Sequence, residues 1–342
     1  MVFFVSLICC AAALASAGFL YQWFGAHRDR RLYAGLGRWI SIGNGCKLYM
    51  LEKGSGGPTV LFEAGIAATN LNWCHIQDMV SEFTHTASYD RGGLGWSSPS
   101  NTVRTPGNIA IELNAMLEAA GIKPPYVLVG HSFGGLVMRR YALLYPENVA
   151  GIILVDPMRC EEWPPLNPEK QALLDRGAKL SGYAVPIARS GLARLAVTSL
   201  LCRSGRLSTF LAGAAGKGGM HVLGRIKSEV GKMPEAVWPI VAAHWSRPGY
   251  YVGMSDHIVA VPDTVREMQN AEPIFGIPIL LLTPITSSPL TDECLACIGD
   301  NIQQVIAPES EHWIHLDEPD LVIDSIREMV MATSSMTVEV IA

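Results

Sequence analysis

An α/β fold is predicted by three features: short β-rich runs recur along the chain, helix-length apolar stretches separate them, and glycine-rich turns join the two. Thr59-Val60-Leu61-Phe62 reads as a strand that leaves through Glu63-Ala64-Gly65-Ile66 toward a helix opened by Asn72-Trp73. Tyr126-Val127-Leu128-Val129 is a second such run and leads into the helix-length stretch Leu136 to Tyr145. Gly151 to Val155, Pro278 to Thr283 and Ile302 to Ile306 read as later strands, and a final helix begins near Glu318-Pro319. Strands alternating with helices form a parallel sheet whose carboxyl ends share one edge, so residues just after each strand can meet there.

Composition agrees with a globular fold of this class. A chain of 342 residues with 49% hydrophobic and 17% charged residues can bury a sizeable core. The net charge of −5 offers no broad basic surface, and no nucleic-acid-reading motif is present, so nucleic acid is not expected as a partner. A small-molecule partner is expected instead.

Gly130-His131-Ser132-Phe133-Gly134 stands at a strand-to-helix junction and matches G-x-S-x-G, the nucleophile elbow. In such a turn the serine occupies a strained backbone conformation, and small neighbours make room for it. Ser132 is therefore the expected nucleophile. A serine hydroxyl attacks well only when a base takes its proton. His312 is best placed to be that base, because it follows the last predicted strand and the loop Ala307-Pro308-Glu309-Ser310-Glu311. His131 adjoins the serine but should point away; His75 and His85 flank an early helix, His244 and His257 fall in the middle of the chain, and His315 reads as a polar residue where the last helix starts.

A carboxylate that orients the imidazole should lie between serine and histidine in chain order. Asp156, directly after the run Gly151 to Val155, is favoured; Asp292, in the longer loop after Pro278 to Thr283, is the alternative. Acyl transfer also needs N–H donors for the oxyanion. Phe133, just after the nucleophile, and Ile66, in the turn after the first parallel strand, are the expected pair.

The segments PTVLFEAG, NW at 72 to 73, YDRGGLGWS from Tyr89 to Ser97, PYVLVGHSFGG, ILVDP and EHWIHLDEP together resemble the α/β-hydrolase superfamily, most closely bacterial serine hydrolases with a YDR-x-G-x-GWS segment. The likeness spans about Trp39 to Val330 and is weakest in the middle. It implies an eight-stranded, mostly parallel sheet with helices on both faces, a Ser-Asp-His triad, and no cofactor or metal. Where the superfamily often has His-Gly, this chain has Ala64-Gly65 preceded by Glu63. Asp90-Arg91 is expected as a structural ion pair beside the site. The same triad can cut amides, so an aminopeptidase or amidase is the alternative to an esterase, and a non-catalytic binding protein on this fold is a further one. A dehalogenase is disfavoured, since related enzymes of that kind carry aspartate at the elbow.

The expected organisation is an N-terminal segment, residues 1–31; a hydrolase core, 39–157 with 278–333; and a helical insertion, 158–277, acting as a lid. Val2 to Phe24 carries no charge and is long enough to span a bilayer. An uncleaved anchor is favoured, because no Lys or Arg precedes the apolar run and Arg28, Arg30 and Arg31 follow it. The positive-inside rule then puts the enzyme on the cytoplasmic side. The competing reading is a signal peptide cut after Ala15-Ser16-Ala17, giving a secreted or periplasmic protein. Trp163, Trp238 and Trp245 in the insertion are candidate pocket-lining residues, though lid core is the simpler reading. The scattered cysteines read as free thiols, and Cys294 and Cys297 read as loop residues with a local redox link as the alternative; Gly213 to Gly218 is rejected as a phosphate loop because its flanking positions do not fit.

Overall fold

The apolar run Tyr126 to His131 forms the central strand of an eight-stranded sheet in a computed structural model that describes residues 2–160, 168–202, 213, 224 and 228–341. In chain order the strands are β1 (Arg38–Ser41), β2 (Lys47–Lys53), β3 (Thr59–Glu63), β4 (Thr86–Asp90), β5 (Tyr126–His131), β6 (Val149–Val155), β7 (Ile279–Pro284) and β8 (Ile302–Ala307). Across the sheet they run β1-β2-β4-β3-β5-β6-β7-β8. β2 is antiparallel to both neighbours, and all other pairings are parallel.

Strand period places alternate residues on opposite faces. Leu61, Leu128, Ile152, Leu154 and Leu281 face one layer, packed under the helices Pro106–Ala120 and Phe133–Leu144 through Leu113, Leu117, Met138 and Tyr141. Val60, Phe62, Val127, Val129, Ile153 and Val155 face the other, covered by Ile76 and Val80 of helix Cys74–Val80 and by Val322, Ile326 and Val330 of helix Pro319–Ile341. The expected mostly parallel sheet with helices on both faces is thus present. The helix after β5 starts three residues earlier than its apolar pattern suggested, because the strand passes directly into it at Ser132. Pro106 in its first turn and Gly121 at φ 75° just past its end delimit the preceding helix.

Two compact units are distinguished: Gly37–Asp175 with Asp256–Ala342, which holds the sheet, and Met1–Leu36 with Arg176–Ser255. The second contains helix Val2–Tyr33, helix Leu192–Cys202 and helix Trp238–Trp245. Within it, Trp238 donates its indole N–H to Met233 O at 3.1 Å and Trp245 lies against Tyr250, so both make contacts inside the insertion. Trp163 lies outside the described residues, as does most of Gly213 to Gly218. The N-terminal helix is long and apolar enough to cross a membrane, a property that a signal sequence near an N-terminus shares.

Candidate active site

Ser132 sits between β5 and its helix with φ 54° and ψ −120°, a region that costs a side-chain-bearing residue on the order of 1–3 kcal/mol. The strain is held by pairing. Ser132 N–H donates to Val155 O at 3.1 Å, and Ser132 O accepts from Gly135 N at 3.0 Å and Met158 N at 3.1 Å. The glycines matter for close approach: a Cβ on Gly130 would lie 2.6 Å from Gly134 O, and one on Gly134 would lie 2.5 Å from Glu63 O. Phe133 opens the helix, where a backbone N–H has no intrahelical acceptor and the helix dipole favours negative charge.

Asp156 follows β6, beside β5 in the sheet, and like Ser132 is a non-glycine residue at positive φ, 38°. Its N–H donates to Leu282 O of β7 at 2.9 Å. His312, in the loop after β8, donates from Nδ1 to Asp156 Oδ2 at 2.7 Å, while its ring is about half exposed. A carboxylate accepts, so Nδ1 carries the proton, and Nε2 presents a lone pair. Asp292 stands elsewhere. It opens the short helix Asp292–Ala296 behind an N-cap at Thr291, where a carboxylate suits the helix dipole, and it is exposed.

The loop carrying His312 is braced from two sides. Glu318 accepts from Glu309 N at 2.8 Å and from Ser310 Oγ at 2.6 Å. From beneath, His131 donates from Nε2 to the His312 carbonyl at 2.8 Å, and its ring lies 4.4 Å from that of His315 and 4.9 Å from that of Trp313. Burial, reinforced by His315 and His312, pushes His131 well below the ordinary histidine pKa, so it is a neutral imidazole. His131, which adjoins the serine in sequence, is buried against His312, with the two ring centres 4.7 Å apart. His315, expected as a polar residue at a helix start, is buried there as well, stacked 4.5 Å from Trp73. A lone histidine beside a motif carries no periodic signal, so this layer was not legible in the sequence.

Ile66 lies in the loop after β3 and packs with Ile109, Phe133, Val137 and Met158. The Asp90-Arg91 pair expected from their adjacency is replaced by a longer-range one: Arg91 Nη1 meets Glu63 Oε1 at 2.6 Å. Asp90 accepts from the backbone N–H groups of Asn70 at 3.1 Å and Trp96 at 2.9 Å. A cavity of about 180 Å³ has Asp156 in its wall and is otherwise mostly apolar, with Leu136, Leu154, Met158 and Leu281 among its lining. Among the described residues, no group of three or more His, Cys, Asp or Glu side chains converges as a metal site requires.

The family described as alpha/beta hydrolase fold matches residues 58–179, which hold β3 to β6, Ser132 and Asp156. Among solved structures, epoxide hydrolase CorEH superposes with a TM-score of 0.62 at 16% identity, covering 86% of this chain and 97% of that one. The chain has the α/β-hydrolase fold. A thermophilic esterase from Thermogutta terrifontis shares it, with a TM-score of 0.58 and 22% identity over 87% of this chain and 98% of that one. Among curated relatives, the uncharacterized protein YqjL of Bacillus subtilis (strain 168) is 34% identical over 115 residues, 33% of this chain and 46% of the relative. The α/β-hydrolase likeness in sequence is thus partial: the chain spans less than half the length of the first curated relatives it matches.

Proposed function

We propose that the chain is a serine hydrolase that cleaves a carboxylic ester or related acyl substrate through an acyl-enzyme on Ser132. The observation that carries this reading is the 2.7 Å bond from His312 Nδ1 to Asp156 Oδ2 at the sheet edge where Ser132 holds its strained turn. In this reading His312 Nε2 takes the Ser132 proton as Oγ attacks the carbonyl carbon. The negative oxygen is received by the N–H groups of Phe133 and Ile66. Collapse expels the alcohol, which takes the proton from the imidazolium, and water then repeats the sequence to release the acid. Asp156 keeps the proton on Nδ1 and stabilises the cation. The residue roles and the ester preference all belong to this proposal.

The N-terminal helix is proposed as an uncleaved anchor, with the charge-free run from Val2 to Phe24 in its support. The lid role of residues 158–277 is proposed with it, to be tested by whether changes there alter acyl-chain selectivity while Ser132 stays reactive. The central test is labelling with a fluorophosphonate probe beside turnover of p-nitrophenyl esters and aminoacyl anilides. Ser132→Ala should abolish both labelling and ester turnover. Undiminished labelling of the variant would exclude Ser132 as the nucleophile, and faster anilide than ester cleavage would move the substrate class to amides.

A further inference from the structure

Arg91 is a full positive charge at the end of β4, 2% exposed, and an ion buried so deeply must be compensated. Glu63 compensates the charge, and Tyr89 donates its hydroxyl to that same carboxylate. Most of the guanidinium's donors go elsewhere. Nη1 also donates to Ala64 O at 2.6 Å, Nη2 donates to Gly65 O, and Nε donates to His257 Nε2 at 3.2 Å. Its Cζ stands 5.2 Å from the centre of the Phe133 ring.

These contacts fall on the segment between β3 and Ile66. In a trans peptide the C=O and the following N–H point in opposite directions, and Gly65-Ile66 is trans. Holding Gly65 O toward Arg91 therefore turns the Ile66 N–H the other way. The loop is pressed on the elbow at this point: a Cβ on Gly65 would come 3.0 Å from His131 Nδ1 and 3.5 Å from Ser132 Cβ. Immediately beyond, Ala67 is held at φ 57°, which a residue with a side chain rarely adopts unless its surroundings impose it.

We propose that Arg91 is a positioning residue for the oxyanion hole. It clamps the Ala64 and Gly65 carbonyls so that the Ile66 N–H is aimed at the oxyanion, and it rests on Phe133, the residue that supplies the other donor. Its charge also polarises the Gly65-Ile66 peptide and makes that N–H a stronger donor. The clamp occupies the loop in which this chain lacks the histidine common at position 64 of its superfamily. This inference deepens the serine-hydrolase reading and rests on it.

The test separates grip from charge. Arg91→Lys keeps a cation for Glu63 but replaces a planar fork with a point charge that cannot hold two carbonyls in fixed geometry. It should lower kcat for a p-nitrophenyl ester by about 10²- to 10³-fold, with KM within about threefold, as loss of an oxyanion donor does. Affinity for a trifluoromethyl ketone, whose adduct carries the oxyanion, should fall in parallel. Glu63→Gln removes the ion pair but leaves the guanidinium-to-carbonyl bonds, so it should lower Tm while kcat stays within about tenfold. A kcat of Arg91→Lys within about threefold of wild type would overturn the proposal, as would kcat falling in step with Tm in both variants. If Arg91→Lys does not fold, Glu63→Gln decides alone: kcat retained at reduced Tm supports the clamp, and kcat lost with Tm overturns it. Wild-type protein that neither labels at Ser132 nor turns over would instead defeat the hydrolase reading itself.

Discussion

A carboxylate 2.7 Å from an imidazole nitrogen does two things at once: it selects the tautomer and it stabilises the cation formed when the ring takes a proton. Asp156→Asn offers an N–H or a weaker acceptor at that place, and it should cost about 10⁴ in kcat for ester hydrolysis while the fold survives. Asp292→Asn, exposed at the start of its short helix, should change kcat less than about tenfold. Steady-state kinetics on both variants, with circular dichroism to show folding, checks the pair of outcomes. His131 gives a second prediction. Its folded pKa lies well below the ordinary value because burial disfavours the cation, so the unfolded chain binds the extra proton first. Stability should therefore fall as pH drops below about 6.5, by at most about 1.4 kcal/mol per pH unit for one such group. His131→Gln keeps an N–H at the Nε2 position for the His312 carbonyl and removes the titration. Its Tm should decline less than that of wild type between pH 6.5 and 5, and parallel Tm-pH curves would show that His131 is not the group responsible.

The elbow works as an element because its helix lies unusually close to β3. Gly134→Ala would drive a Cβ into Glu63 O at 2.5 Å and Ala64 O at 2.6 Å, both backbone atoms that cannot step aside. The helix and the loop carrying Ile66 must part, which should cost about 1–3 kcal/mol and lower kcat/KM at least about tenfold, since small misplacements at a reacting centre are expensive. Gly182 offers the contrast. It is exposed inside helix Pro168–Arg189, with nothing within 4 Å of its would-be Cβ. Gly182→Ala should raise stability by about 0.5–1 kcal/mol in a urea melt and leave activity unchanged. Both are glycines in helices. Only the packing around them distinguishes the outcomes, and no sequence window contains that packing.

At the scale of the whole molecule, the N-terminal helix divides into two parts with different surroundings. Residues 2–17 are exposed throughout, whereas Gln22 and Asp29 are buried in the unit formed with Arg176–Ser255. There Arg194 donates to Asp29 and to Gln22 Oε1, and Gln22 donates to Ser246 O at 2.8 Å. Gly18 and Gly25 allow this approach: a Cβ on Gly18 would meet Ser190 O, and one on Gly25 would lie 2.6 Å from Arg194 Nε. With the helix acting as the proposed anchor, removing residues 1–17 should release the protein from membranes in a carbonate wash with its Tm kept. Removing residues 1–31 should strip a buried arginine of its carboxylate, at a cost of about 3–5 kcal/mol in that unit. Equal Tm values for the two truncations would show that the Asp29 to Arg194 pair contributes nothing measurable.

The strand-helix alternation, the elbow at Ser132, the late position of His312 and the apolar N-terminal helix were all readable in the chain itself. Each follows from local rules: side-chain period sets the elements, and turn sterics confine serine and glycine to the junction. The tertiary structure decided which carboxylate meets His312, which acid holds Arg91, and where His131, His315 and Asp29 are buried. Those choices join residues far apart in sequence, such as Asp156 with His312, and they depend on β6 lying between β5 and β7. Chain order and composition are the same for Asp156 and Asp292, so local pattern cannot rank them. Sheet order can, because it puts one carboxylate at the strand end next to the serine and leaves the other in the first turn of a short helix.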